Sequence, residues 1–225
     1  MYKRQVDGNY LYVGTVDVDY GKGVYNNGHL TRINILTGAV SWQHVNADEG
    51  YYWTGATVGD GFILVPTSAG TVEMLSKSSG AVLGSVSVGA IVNSSCVLSA
   101  DGCHAYLISR DGKLHVLAIS DGDSRDAHAA SRITEERVVD LGLTGCACAP
   151  TMHDGKLIVG GEVSGGSALA IVDLDNDFAT TLVSSADGSA LPIGGIKGAP
   201  LVSAQADGTY VYFTCLLYTS PSPRD

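Results

Sequence analysis

An Asp-Gly pair followed by a short burst of apolar residues occurs five times in this chain. The stretches read DGNYLYVGT from Asp7, DGFILVPTS from Asp60, DGCHAYLIS from Asp101, DGKLIVGGE from Asp154 and DGTYVYFT from Asp207. Successive Asp residues lie 53, 41, 53 and 53 positions apart. Asp-Gly readily takes the positive φ angles of a tight hairpin, so each pair predicts a turn leading into a strand. A near-regular ladder of such turns confines the chain to folds that repeat one small antiparallel sheet.

A second landmark runs in step with the first. Gly28, Gly70, Gly112 and Gly166 each precede a further apolar strand, and those strands meet turns at Thr37-Gly38, Ser79-Gly80, Asp121-Gly122 and Asp175 to Asp177. Four short strands in a period of about 40–50 residues match one blade of a β-propeller. The expected fold is therefore all-β: an open arc of about four antiparallel, four-stranded blades. The ladder places strands b–d of a first blade in residues 9–45, full blades in 52–89, 90–142 and 143–185, and strands a and b of a fifth in 198–214, 17 strands in all. Extra residues fall at 16–27, 123–137 and 184–197, and the Ala/Arg/Glu content of the second insert permits a short helical turn. Runs such as Phe62-Ile63-Leu64-Val65 and Leu117-Ala118-Ile119 are apolar on both faces, as strands in stacked blades are. No long amphipathic helices alternate with the strands, which excludes a βαβ architecture. A β-sandwich is the structural competitor, and the near-equal repeats argue against it.

Composition narrows the function. The chain is 45% hydrophobic and 16% charged, which suits a globular domain. Its net charge of −10 repels phosphate backbones, so nucleic acid is not an expected partner. No apolar run reaches the roughly 20 residues of a membrane helix. The two ends break the pattern. The tail CLLYTSPSPRD resembles a translated transposon-type sequencing adapter, and MYKRQ resembles the reverse complement of the same adapter end. Residues 1–5 and 215–225 are accordingly expected to be non-native and to pack poorly, with strand pairing absent or opportunistic. Residues 6–214 are then an internal propeller segment of a longer, metagenomic gene product, whose signal peptide would lie outside it.

The stretch LTRINILTGAVSWQH, beginning at Leu30, resembles the tryptophan-docking motif of quinoprotein propellers, the family of pyrroloquinoline quinone (PQQ) dehydrogenases and their non-enzymatic relatives. Thr37 and Gly38 match the motif's turn and Trp42 its docking Trp. Asn34 stands where Asp is usual, and Arg32 or Ile33 replaces the motif's Ala. The resemblance implies that Trp42 packs between neighbouring blades. It also implies, for the enzymes, a catalytic Asp, a calcium site of carboxylate and amide oxygens, and often a disulfide between adjacent cysteines.

Those parts are not evident in the sequence. There is no Cys-Cys pair; Cys146 and Cys148 are separated by Ala147 and would share one face of a strand. They fit either small buried core residues or a pair that binds metal or thiolates. A disulfide from Cys96 or Cys103 to this pair stays open in an exported protein. Asp17 and Asp19, and the run Asp173, Asp175 and Asp177, weakly resemble calcium loops but lack the full ligand spacing; Asp as a turn cap is the competing reading. No Ser-His-Asp set stands out among the six histidines. The aromatic group Tyr51-Tyr52-Trp53 fits either a binding platform or packing against Trp42. The expected function is a non-catalytic binding or scaffold module of an exported or cell-envelope protein, with a protein or small ligand held on the propeller loops and no cofactor. The alternative is part of a quinoprotein dehydrogenase, which would need PQQ and calcium.

Overall fold

The computed structural model describes residues 4–19, 24–51, 53–120, 132–183 and 195–214. Among them are 18 strands and no helix. The first blade joins β1 (Arg4–Asp7), β2 (Tyr10–Asp19), β3 (Val24–Asn34) and β4 (Val40–Asn46). The second holds β5 (Thr57–Val58), β6 (Phe62–Pro66), β7 (Thr71–Ser76) and β8 (Val82–Ser87). The third holds β9 (Val97–Leu98), β10 (His104–Ile108), β11 (Lys113–Ile119) and β12 (Ile133–Asp140). The fourth holds β13 (Thr151–His153), β14 (Lys156–Val163), β15 (Gly166–Asp173) and β16 (Ala179–Val183). A two-stranded sheet, β17 (Leu201–Gln205) with β18 (Gly208–Tyr212), begins the fifth. Every pairing is antiparallel between neighbours in sequence, the a-b-c-d order of a propeller blade, and the sheets do not close into a ring.

The Asp-Gly pairs form the a–b hairpins. At Asp154-Gly155 both residues have positive φ, 47° and 68°, the geometry that matches the twist of the flanking strands. The c–d turn of blade 1 uses Asn34 as its cap. Its Oδ1 accepts from the N–H of Leu36 at 2.9 Å and of Thr37 at 3.2 Å, so Asn serves where the motif has Asp. Thr37 Oγ1 accepts from Ala39 N–H at 3.2 Å. Gly38 then turns with φ 73° in open space. Gly38→Ala should therefore cost about 1 kcal/mol, from backbone strain alone, in a chemical-denaturation midpoint.

Four apolar clusters mark four blade–blade contacts. Trp42, Tyr12, Ile63, Val65 and Leu75 join blades 1 and 2. Phe62, Leu64 and Met74 meet Leu107 and Leu117 between blades 2 and 3. Tyr106, Val116, Leu157 and Val172 join blades 3 and 4. Ile158, Leu169 and Ile196 meet Val202 and Val211 at the fifth sheet. The run Phe62 to Val65 is thus split residue by residue between two neighbours, which is why it is apolar throughout. The faces turned away from these contacts expose Val6, Val40 and Val45 on blade 1, and Leu201, Tyr210 and Tyr212 on the fifth sheet.

Glycines join one blade to the next. A Cβ on Gly28 would lie 2.8 Å from the carbonyl oxygen of Glu49, and one on Gly112 2.5 Å from that of Leu143. A Cβ on Gly70 would collide with the carbonyl of Ala90. In each case the residue met belongs to the segment coming into the next blade.

Three features differ from the sequence expectation. Blade 1 has a strand a, since Arg4 and Gln5 pair with Val13 and Tyr12; main-chain pairing is indifferent to side-chain pattern, so the ladder runs into residues expected to lie outside it. The insert at 16–27 lengthens the b–c hairpin instead of looping: beyond a bulge after Thr15, pairing runs from Asp17↔Asn26 to Asp19↔Val24. Residues 133–137, placed in an insert, belong to β12. Residues 121–131, including the expected helical turn and Asp121-Gly122, residues 184–194, and residues 1–3 and 215–225 of the adapter-like ends lie outside the described residues.

Candidate functional site

Trp42 is 9% exposed and lies against the c–d turn of blade 2. Its Nε1–H donates to the Lys77 carbonyl at 3.2 Å, and a Cβ on Gly80 would come within 2.7 Å of the indole. Tyr12 meets the same indole, ring centroids 6.0 Å apart. Tyr51 belongs to this core cluster, whereas Trp53 is 38% exposed, with φ 67°. Tyr52 lies outside the described residues.

None of Cys96, Cys103, Cys146 and Cys148 forms a disulfide. Cys146 and Cys148 do share a face, with Sγ atoms 3.9 Å apart, and both thiols donate to the Gly160 carbonyl. The neighbouring Cys148 and burial push the Cys146 thiol up. Burial pushes Cys96 up to about 12. All three buried thiols sit in the core clusters, and the raised Cys96 and Cys146 thiols stay protonated and unreactive. Cys103 is exposed in the a–b turn of blade 3.

The acidic candidates stay apart. Asp17 accepts from Asn27 Nδ2 at 2.7 Å. Asp19 pairs through its main chain with Val24. Asp173 is ion-paired with Lys156 at 2.6 Å and accepts from the Asp175 N–H, while Asp177 is ion-paired with Arg137 at 2.5 Å. Among the described residues no three His, Cys, Asp or Glu side chains converge as a metal site.

Two buried polar groups come instead from one repeated position. Glu73 and His115 each lie three residues beyond a b–c turn glycine, Gly70 and Gly112, and each interrupts an otherwise apolar strand c. Glu73 Oε2 accepts from the Tyr51 hydroxyl at 2.5 Å; Oε1 accepts from Asn46 Nδ2 at 3.2 Å and faces His44 Nε2 at 3.4 Å. His44 and Asn46 come from β4, so this cluster bridges blades 1 and 2. Burial opposes ionisation of Glu73, but the bonds from His44, Tyr51 and Asn46 outweigh it and hold the carboxyl below its ordinary range. Burial and the Glu73 charge push the Tyr51 hydroxyl up. Beside it Glu49 accepts from Thr67 Oγ1 at 2.5 Å and from Thr71 Oγ1 at 3.0 Å, tying the incoming segment to the b–c turn.

In blade 3, His115 Nδ1 lies 2.7 Å from Glu135 Oε1, and Nε2 lies 2.9 Å from Ser109 Oγ. The sequence offered no serine–histidine–carboxylate set; the fold assembles one. A polar residue at the same distance from Gly70 and Gly112 was the available signal. The Ser109 hydroxyl donates to Asp111 and its oxygen also lies against His115 Nε2, so it is held between the turn and the imidazole. Ser109 is also 0% exposed. The chain Asp111–Ser109–His115–Glu135 ties the b–c turn to strand d, with the Ser109 hydroxyl closed off from solvent. Asp111 reaches an open cleft of about 340 Å³ beside Ala90, Ile91 and Arg110.

No family profile matches the sequence, and no curated protein matches it. Solved structures do. BamB from Moraxella catarrhalis is similar over 92% of this chain and 55% of its own, at 17% identity and a TM-score of 0.59. Hydrazine synthase from Kuenenia stuttgartiensis is similar over 96% and 56%, at 14% identity and 0.62. The computationally designed protein Ika4 is similar over 80% and 88%, at 15% identity and 0.51. The chain spans about half the length of the first two. At these identities the likeness is one of fold, and with the stacked four-stranded sheets described above it makes the chain a run of β-propeller blades.

Proposed function

We propose that the chain is a propeller binding or scaffold module that works without catalysis, in an exported or cell-envelope protein of the PQQ-like repeat family, with a protein or small ligand held on its loops. The observation that carries the reading is that the groups best suited to chemistry are committed to the fold. Glu73 accepts from three side chains of the neighbouring blade region, Ser109 gives its proton to Asp111, both nitrogens of His115 are engaged, and Cys146 and Cys148 share one carbonyl. Such groups hold turns and blades in place. The acidic net charge favours a partner other than nucleic acid. No helix among the described residues is long and apolar enough to cross a membrane.

The runner-up, a part of a quinoprotein dehydrogenase, rests on the motif around Thr37, Gly38 and Trp42. The two readings separate on titrating the full-length protein that contains this chain with PQQ and calcium while following dye-linked oxidation of alcohols and sugars. The binding-module reading expects neither stoichiometric quinone uptake nor turnover. Saturable quinone binding with turnover would replace it by the enzyme.

A further inference from the structure

The register of the blades shows what has taken the place of the docking tryptophan in blade 3. In blade 1, Tyr12 pairs with Arg32 and Arg32 with Trp42, directly beside a bulge at Ser41 of strand d. In blade 3, Tyr106 pairs with Val116 and Val116 with Arg137, beside a bulge at the same place. Arg137 is therefore the counterpart of Trp42. Like Trp42, it reaches the c–d turn of the following blade, where its guanidinium pairs with Asp177 and lies over the Phe178 ring, 4.7 Å from the centroid.

A guanidinium does not fill the space of an indole. Between blades 3 and 4 a cleft of about 450 Å³ remains, with Tyr106 and Val116 on one side, Leu174 and Phe178 on the other, and Arg137 and the His104–Glu136 pair at its margin. The turn position that accepts the Trp42 N–H is also present. Lys77 and Leu174 are equivalent: each donates its N–H to the a–b turn glycine of its own blade, Gly61 or Gly155, at 3.0 and 2.9 Å. The Leu174 carbonyl thus occupies the position of the Lys77 carbonyl.

A second, independent observation is backbone strain. Just before strand d, blades 1 and 2 place Gly38 and Gly80, with φ 73° and 74°. Blade 4 places Phe178 there, at φ 61°, following Asp177 at φ 50°. A bulky residue in the left-handed region is costly, and such outliers concentrate where a side chain must be held in a set place. Here the strain delivers an aromatic ring to the wall of the cleft.

We propose that this cleft is a binding site for a small planar aromatic molecule carrying a ring N–H, of the indole class, which takes the place that Trp42 takes in blade 1. Apolar side chains on two facing walls, an aromatic ring among them and a main-chain acceptor at the turn are the features such a ligand uses. The surrounding charge selects within the class. Arg137, the cation lining the cleft, is neutralised by Asp177, and Glu136 lines the cleft beside it; with Asp101 and Asp175 it adds to burial in raising the Tyr106 hydroxyl, so the excess charge there is negative. A neutral or cationic indole is favoured over an anionic one. The site stands on its own geometry, whether or not the blades also carry a catalytic centre.

The test is a titration of the isotope-labelled chain with indole, tryptamine and indole-3-acetate, followed by NMR. The expected result is saturable shifts at Tyr106 and Phe178, with an indole dissociation constant on the order of 0.1–1 mM and tryptamine tighter than indole-3-acetate. Arg137→Trp fills the cleft from within and should weaken indole binding more than about tenfold. Phe178→Gly removes the ring and relieves the left-handed backbone, so it should also weaken binding by about tenfold while unfolding no earlier than the parent chain. That second variant decides the matter if the first one misfolds. Absence of saturable shifts with indole, or unchanged affinity in Phe178→Gly, would overturn the site; tighter binding of indole-3-acetate would overturn the ligand charge.

Discussion

Trp42→Ala should lower the unfolding free energy of the chain by about 3–5 kcal/mol, read from chemical denaturation. The indole is 9% exposed, is wedged between Tyr12 and the Gly80 turn, and closes its one polar atom on the Lys77 carbonyl. Truncation would remove the largest apolar group of the cluster joining blades 1 and 2, leave a cavity in two stiff sheets, and strip a carbonyl of its partner. Trp42→Phe should cost less than half as much, because it keeps most of the contact and loses mainly the hydrogen bond. Equal losses in the two variants would show that Trp42 acts through its N–H alone and not through packing.

Glu73→Ala should cost about 3 kcal/mol at neutral pH, because the Tyr51 hydroxyl and the Asn46 amide lose a buried acceptor together. The effect has a pH signature. The folded-state pKa of Glu73 is lowered, so its contribution is fully present above the unfolded value of about 4.3 and is lost as pH falls through the lower folded value. The stability gap between parent and variant should therefore hold from pH 7 to about pH 5 and shrink progressively below about pH 4. A gap independent of pH across that range would mean that the carboxylate charge contributes nothing and that the loss is one of packing.

The parts of this fold that could be read from residues are those decided within a few positions of chain. Asp-Gly sets a hairpin through the φ angles it tolerates, and Asn34-x-x-Thr37-Gly38 sets another through side-chain caps on the next N–H groups. Hence the four-stranded repeat and its turns were legible. Strand β1 was not, because Arg4 and Gln5 pair through main-chain atoms that no side-chain pattern advertises. The extension of β2 and β3 was masked by Asp, Asn and Gly, which read as loop yet pair once a preceding hairpin holds them in register. The polar clusters were hidden for a different reason. His115 meets Glu135 across 20 residues, and it does so only because a bulge after Val116 resets the pairing of β11 with β12. Glu73 likewise depends on partners 22 to 29 residues away in the preceding blade region. Such contacts follow from register, and register follows from the assembled sheet. The counterpart of Trp42 in blade 3 was concealed in the same way, since Arg137 carries no likeness to tryptophan until the strands are aligned.

The glycine joints at Gly28, Gly70 and Gly112 separate two tasks that most protein interfaces combine. At each, the main chain coming into the next blade rests directly on the main chain of the last, with no side chain between them. The angular step from blade to blade is thereby gauged by peptide geometry, which hardly varies with sequence. What lies farther out along the same interface is free to differ: an indole on a turn at one joint, a guanidinium over a phenyl ring at another, leucine and methionine at a third. The spacing of the blades is thus uncoupled from the chemistry displayed between them, so a chain of this design can alter its recognition chemistry one joint at a time without bending out of its arc.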